Sequence, residues 1–80
     1  KSISIRYQLP TKSRVNIELY DIAGRNVKTL LNNVKAPGYY RIRWDGTDER
    51  GNKVASGIYF AAMNAGRFKK TVKISLIREK

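Results

Sequence analysis

The sequence contains no cysteine and no histidine in its 80 residues. Without cysteine no disulfide can staple the chain, and without either residue the usual zinc ligand sets cannot form. The same absence removes every nucleophile that would need a His or Cys base. Acids are scarce: 6 Asp and Glu stand against 17 Lys and Arg, a net charge of +11. The only clustered acids, Asp45, Asp48 and Glu49, fall in one loop-like stretch, which leaves little for paired-carboxylate chemistry, and the chain reads as a non-enzyme with no cofactor. No apolar run approaches the roughly 20 residues that a membrane-spanning helix needs. Lys1 opens no signal peptide. The pattern begins directly with strand-like alternation, as in a piece of a longer protein.

What is present is alternation. Ile3, Ile5, Tyr7 and Leu9 alternate with Ser4, Arg6 and Gln8, which predicts a half-buried strand stopped by Pro10. Val15, Ile17 and Leu19 repeat the pattern until Asp21-Ile22-Ala23-Gly24-Arg25, a hairpin turn in which Gly24 supplies positive φ. A weaker third strand is predicted over 26–31, with Val27 and Leu30 or Leu31 in the core, followed by a helical turn around 32–35. Ala36-Pro37-Gly38 is a turn. Residues 39–44 alternate strictly, placing Tyr40, Ile42 and Trp44 on one face and Tyr39, Arg41 and Arg43 on the other.

Trp44 to Phe60 is expected to carry the chain from one sheet to the other. Asp45 and Asp48 are placed to accept bonds from backbone N–H groups a few residues ahead, and Gly46 and Gly51 permit the tight bends. Val54-Ala55 is predicted as a short strand. Residues 58–65 are apolar on both faces, as a central strand would be. Asn64-Ala65-Gly66-Arg67 turns the chain into a last strand over 68–77, with Val72, Ile74 and Leu76 inward. Some six or seven short strands separated by turns indicate an all-β sandwich or barrel. Val54-Ala55-Ser56-Gly57-Ile58-Tyr59 favours the sandwich, because Gly before a Tyr at a strand start is the layout of a tyrosine corner, in which the phenol bonds back to the backbone upstream.

ISIRYQLP with VNIELYDIAGRNVKTL, and GYYRIRWDGTDERGNKVASGIYFAAM with KKTVKISLIR, resemble FlgD-type immunoglobulin-like domains from Ile3 to Arg78. The resemblance implies an antiparallel immunoglobulin/fibronectin-III-like sandwich of about seven strands, with Trp44, Asp45, Gly46, Asp48, Gly51 and Tyr59 as structural residues. Such modules are found in the flagellar hook-capping protein. They also stand at the C-termini of secreted bacterial proteins, where the related type IX secretion signal is a similar sandwich. The resemblance therefore implies a non-catalytic C-terminal module of a secreted or cell-surface bacterial protein, serving in sorting, anchoring or assembly. Its partners would be its parent protein, the secretion or surface machinery, or further copies of itself. The finish at Arg78-Glu79-Lys80 suits a C-terminus. The basic charge and the small pair Ala61-Ala62 depart from the family's usual pattern, and the pair would let another chain approach closely.

Three other readings arise from the residues. Asp45, Asp48 and Glu49 with Gly46 and Gly51 superficially suggest a calcium loop, but the spacing is not that of an EF-hand, and Arg50 and Lys53 oppose a cation. Arg6, Arg41, Arg43, Lys69 and Lys73, with Tyr39 among them, are candidates for an outward basic surface that binds a polyanion: nucleic acid, lipopolysaccharide or an acidic glycan. The plainer reading of the same charge is a soluble coat that also protects sheet edges from mispairing. Strand edges, first and last above all, with Tyr20, Phe60 and Ile77 expected to be exposed, suggest docking or self-assembly through main-chain pairing.

Overall fold

A computed structural model describes residues 2–77. The expected C-terminal finish at residues 78–80 lies outside them. Six strands form: β1 (Ile3–Leu9), β2 (Ser13–Asp21), β3 (Asn26–Lys35), β4 (Gly38–Trp44), β5 (Gly57–Ala65) and β6 (Phe68–Leu76). β1 and β4 make a two-stranded sheet; the other sheet has the order β3-β2-β5-β6. All pairings are antiparallel. The chain changes sheets after β1, after β3 and after β4, so the stretch beyond Trp44 does carry it across the sandwich. β5 lies between β2 and β6, the central place its sequence predicts; its inner face is buried and its outer face, Ile58, Phe60 and Ala62, is half-buried among neighbouring side chains.

Period-two alternation becomes two facing layers. Ile5 and Trp44 from the small sheet pack with Leu19, Tyr59, Ala61, Ile74 and Leu76 from the large one. A second cluster joins Leu9 to Val15, Ile17, Met63 and Ala65. Trp44, Ile17, Leu19 and Val15 are the largest fully buried side chains, and Trp44 meets the Tyr59 ring edge-on with centroids 5.2 Å apart. Aromatic pairs in this geometry add stability beyond their buried area. At the other end of the small sheet Tyr7 and Tyr40, cross-strand partners, stack at 5.2 Å.

Several expectations are corrected. There are six strands among the described residues, not seven: Val54-Ala55 lies outside every strand, with the Val54 amide held by the Gly46 carbonyl, and beside it stands an isolated bridge between Thr47 and Lys53. No helical turn forms at 32–35. Those residues extend β3, because Ser13 to Asn16 run on opposite them and supply pairing partners. Val72 faces inward beside Ala61 yet stays 37% exposed, since the two-stranded sheet does not reach over β6. Tyr20 and Phe60 are half-buried rather than exposed, because they lie side by side as cross-strand partners on the outer face, flanked by Lys73; Ile77 is exposed.

The uneven cover predicts uneven mutational costs. Trp44→Ala should destabilise by about 3–5 kcal/mol, the range for deleting a buried large aromatic, whereas Val72→Ala should cost less than about 1 kcal/mol. Urea unfolding midpoints of the two variants measure the contrast; equal losses would contradict this arrangement of the core.

Candidate functional site

The stretch beyond Trp44 is built from its own hydrogen bonds. Trp44 Nε1 donates to the Thr47 carbonyl at 2.8 Å, so the buried indole leaves no donor unpaired. Asp45 Oδ1 accepts from the Thr47 amide at 3.2 Å and from its hydroxyl at 2.5 Å. The Thr47 hydroxyl bond, together with the Lys28 ammonium 3.9 Å away, holds the Asp45 carboxyl below its ordinary range, against a smaller opposing effect of desolvation. Asp48 Oδ1 accepts from the amides of Arg50 and Asn52 at 2.9 and 3.0 Å. Glu49 reaches the outer edge of β3: its amide donates to Val27 O at 3.2 Å and its Oε2 accepts from Thr29 N at 2.7 Å. All three acids of the apparent cation loop are thus engaged in shaping and docking it. Gly46 is buried at the base of the loop, and its carbonyl accepts from Val54 N at 3.0 Å.

Two local devices each occur twice. The turn 48–52, DERGN, repeats the hairpin turn 21–25, DIAGR. In each the Gly amide donates to the Asp carbonyl at 3.0 Å, and the Asp amide donates to the residue after Gly, at 2.9 and 3.0 Å. In each the Asp carboxylate accepts from the amides two and four residues on. Gly24 and Gly51 have φ of 85° and 83°, left-handed values that other residues seldom adopt, and this is the form of a type I turn closed by a glycine bulge. The Asp21 carboxyl is held below its ordinary range chiefly by the Arg25 amide, with the Arg25 guanidinium adding to the effect.

The second device is the tyrosine corner. Tyr59 OH donates to Ala55 O at 2.6 Å, and Tyr40 OH donates to Ala36 O at the same distance. Both lie in the pattern Ala-x-Gly-x-Tyr, as APGYY and ASGIY. Asp21 and Tyr40 were missed as structural residues. Aligning the two short patterns with each other would have found them.

The five candidate anion-binding residues are divided by the fold. Arg6, Arg41 and Arg43 lie on the outer face of the β1–β4 sheet beside the exposed Tyr39, and Arg6 stands directly across from Arg41. Lys69 and Lys73 lie on the outer face of the other sheet. None of the five is in an ion pair among the described residues. Like charges set opposite each other on neighbouring strands cost stability.

The two flanks of the sandwich differ. On the β3 side the loop lies against the strand edge through Glu49, and Lys28 Nζ donates to Thr47 Oγ1 at 3.1 Å. On the opposite flank β1 and β6 are both edge strands, and they do not pair. A groove of about 660 Å³ opens there, floored by Met63 and Ala65 and bordered by Leu9, Phe68 and Lys70. It continues along the same flank between Ile5 and Arg6 on one side and Val72 and Lys73 on the other.

Two facing antiparallel sheets with a tyrosine corner define an immunoglobulin-like β-sandwich module. Residues 1–68 match the FlgD Ig-like domain model, and the chain belongs to that family. It is also similar to the crystal structure of FlgD from P. aeruginosa, with 26% identity and a TM-score of 0.74 over 94% of this chain. The chain spans 59% of the length of that protein. The search among curated proteins gave no match.

The lowered carboxyls set an acid limit. A carboxyl held below its ordinary value contributes stability above that value and loses it as pH falls through the lowered one. Asp21 and Asp45 should therefore make Tm fall as pH drops below 3.8, their ordinary value. In the double variant Asp21→Asn, Asp45→Asn the fall should be shallower. Parallel profiles for the two proteins would refute the assignment.

Proposed function

We propose that this domain is a non-catalytic assembly module of a bacterial surface structure, of the flagellar hook-assembly kind, working outside the cytoplasm through protein contacts. Membership of the FlgD Ig-like family carries the reading. The geometry agrees with it: the loop acids are used in turn capping, while two strand edges on one flank stand open. Sorting by a type IX-like route and anchoring at the surface are narrower forms of the same proposal, and the family match favours the flagellar form. The test is an in-frame deletion of this module from its parent gene, followed by electron microscopy of the cell surface and fractionation of cells and medium. Loss or shortening of a surface appendage, with the truncated parent still produced, is expected. Normal appendages would overturn the proposal.

A second reading rests on Arg6 facing Arg41 with neither in an ion pair among the described residues. An anion laid across that face would relieve the repulsion, with Tyr39 as a stacking platform. A single-stranded oligonucleotide or heparin should then bind at low salt, weaken steeply as salt rises, and lose affinity in Arg6→Ser, Arg41→Ser. Binding unchanged in that variant would exclude this face.

A further inference from the structure

We propose that the groove between β1 and β6 is a docking site for an extended, acidic segment of another protein, which adds as a strand to the free edge of β1. The inference deepens the assembly reading by naming the kind of partner and the place where it sits.

The groove is where a strand is missing. The four-stranded sheet extends past the two-stranded one, so the inward side of β6 has nothing over it: Phe68 is 51% and Val72 37% exposed although both face the interior side. A strand laid beside β1 would lie in the plane of the small sheet and cover these residues. Unpaired main-chain groups along an edge strand are a template for such addition. On the opposite flank part of the β3 edge is already taken, by Glu49 at Val27 and Thr29.

Charge selects the occupant. Arg6, Arg67, Lys70 and Lys73 border the groove, and among the described residues no acid lines it. Side chains of an added strand alternate between two directions. Those directed inward would meet Phe68, Lys70 and Val72; those directed outward would lie beside Arg6. An apolar side chain alternating with a carboxylate satisfies both. A second copy of this chain is the wrong sign, since every copy carries +11 and the edges it could offer are themselves basic.

The test uses a capped peptide of alternating Val and Glu, seven residues long to match β1, added to the nitrogen-labelled domain and followed by amide shifts. Two controls accompany it: the peptide with Lys in place of Glu, and the Val/Glu peptide N-methylated on the residues whose amides would pair. The Val/Glu peptide should shift amides of β1 and β6 and bind at least about tenfold more tightly than either control. Arg6→Glu should abolish the preference, because the outward carboxylates lie beside that side chain, while Arg50→Glu, on the other flank, should leave it intact; Tm values establish that both variants are folded.

Four results would overturn the proposal. These are absence of binding at low salt, equal binding of the N-methylated peptide, tighter binding of heparin at the same amides, and a concentration-dependent dimer that shifts the β1 amides without peptide. Failure here with a positive gene-deletion result would remove the groove and keep the assembly module. Peptide binding with normal appendages would do the reverse.

Discussion

Burial of Trp44 is the constraint on which the rest of the molecule depends. The indole is the largest side chain in an 80-residue chain with no disulfide to help it, and a domain of this size has only a small margin of stability. Its ring packs edge-on with Tyr59 in a cluster that includes Ile5 and Leu19, and its N–H must find an acceptor there. Thr47 supplies that acceptor, which fixes the chain three residues on; Asp45 then fixes Thr47. The course of the crossing loop is therefore a consequence of satisfying one buried donor. The tyrosine corner at Tyr59 anchors the other end of the same crossing, so the two rings in contact also hold the two ends of the loop.

Placing the loop on one flank decides what the other can do. Glu49 uses its backbone and its side chain to bond to the outer edge of β3, which protects that edge from a foreign strand. The residues that do this cannot also cover β1 and β6. With only two strands in the smaller sheet, the inward face of β6 is left part-wet at Phe68 and Val72. On one flank the chain itself thus occupies part of the outer edge, and on the other it leaves β1 and β6 uncovered.

Much of the fold was legible because burial on one face writes period two into the sequence. β1, β2, β4 and β5 are where the alternation of Ile, Val, Leu and Tyr placed them, and the crossing after Trp44 followed from the glycines and aspartates around it. The second half of β3 was not legible. Asn32 and Asn33 are exposed and polar, and they are held in the strand by pairing with Asn16 and Val15 rather than by burial. Val54-Ala55 differs for the opposite reason: Val54 is apolar because it packs on the core from the loop, where its amide is held by the Gly46 carbonyl. For Val72 the direction of the side chain was readable, but its cover was not, because cover depends on how many strands the facing sheet contains. The twin turns and corners were present in plain view as DIAGR with DERGN and APGYY with ASGIY.

The cationic surplus is better understood after the fold than before it. As a list, Arg6, Arg41, Arg43, Lys69 and Lys73 look like one patch; the sandwich distributes them over two outer faces that point apart. No single ligand could lie flat against all five. Arg6 and Lys73 nevertheless come to the same groove mouth, one from each sheet, because β1 and β6 are the two edges of the open flank. Lys70 adds a third cation on the groove's inner side. A positive edge repels other copies of the same basic chain, and in that sense it works as the charged residues of protected edge strands do. The field that opposes self-pairing would favour an acidic strand, so protection against one partner and the proposed recognition of another would share one electrostatic origin.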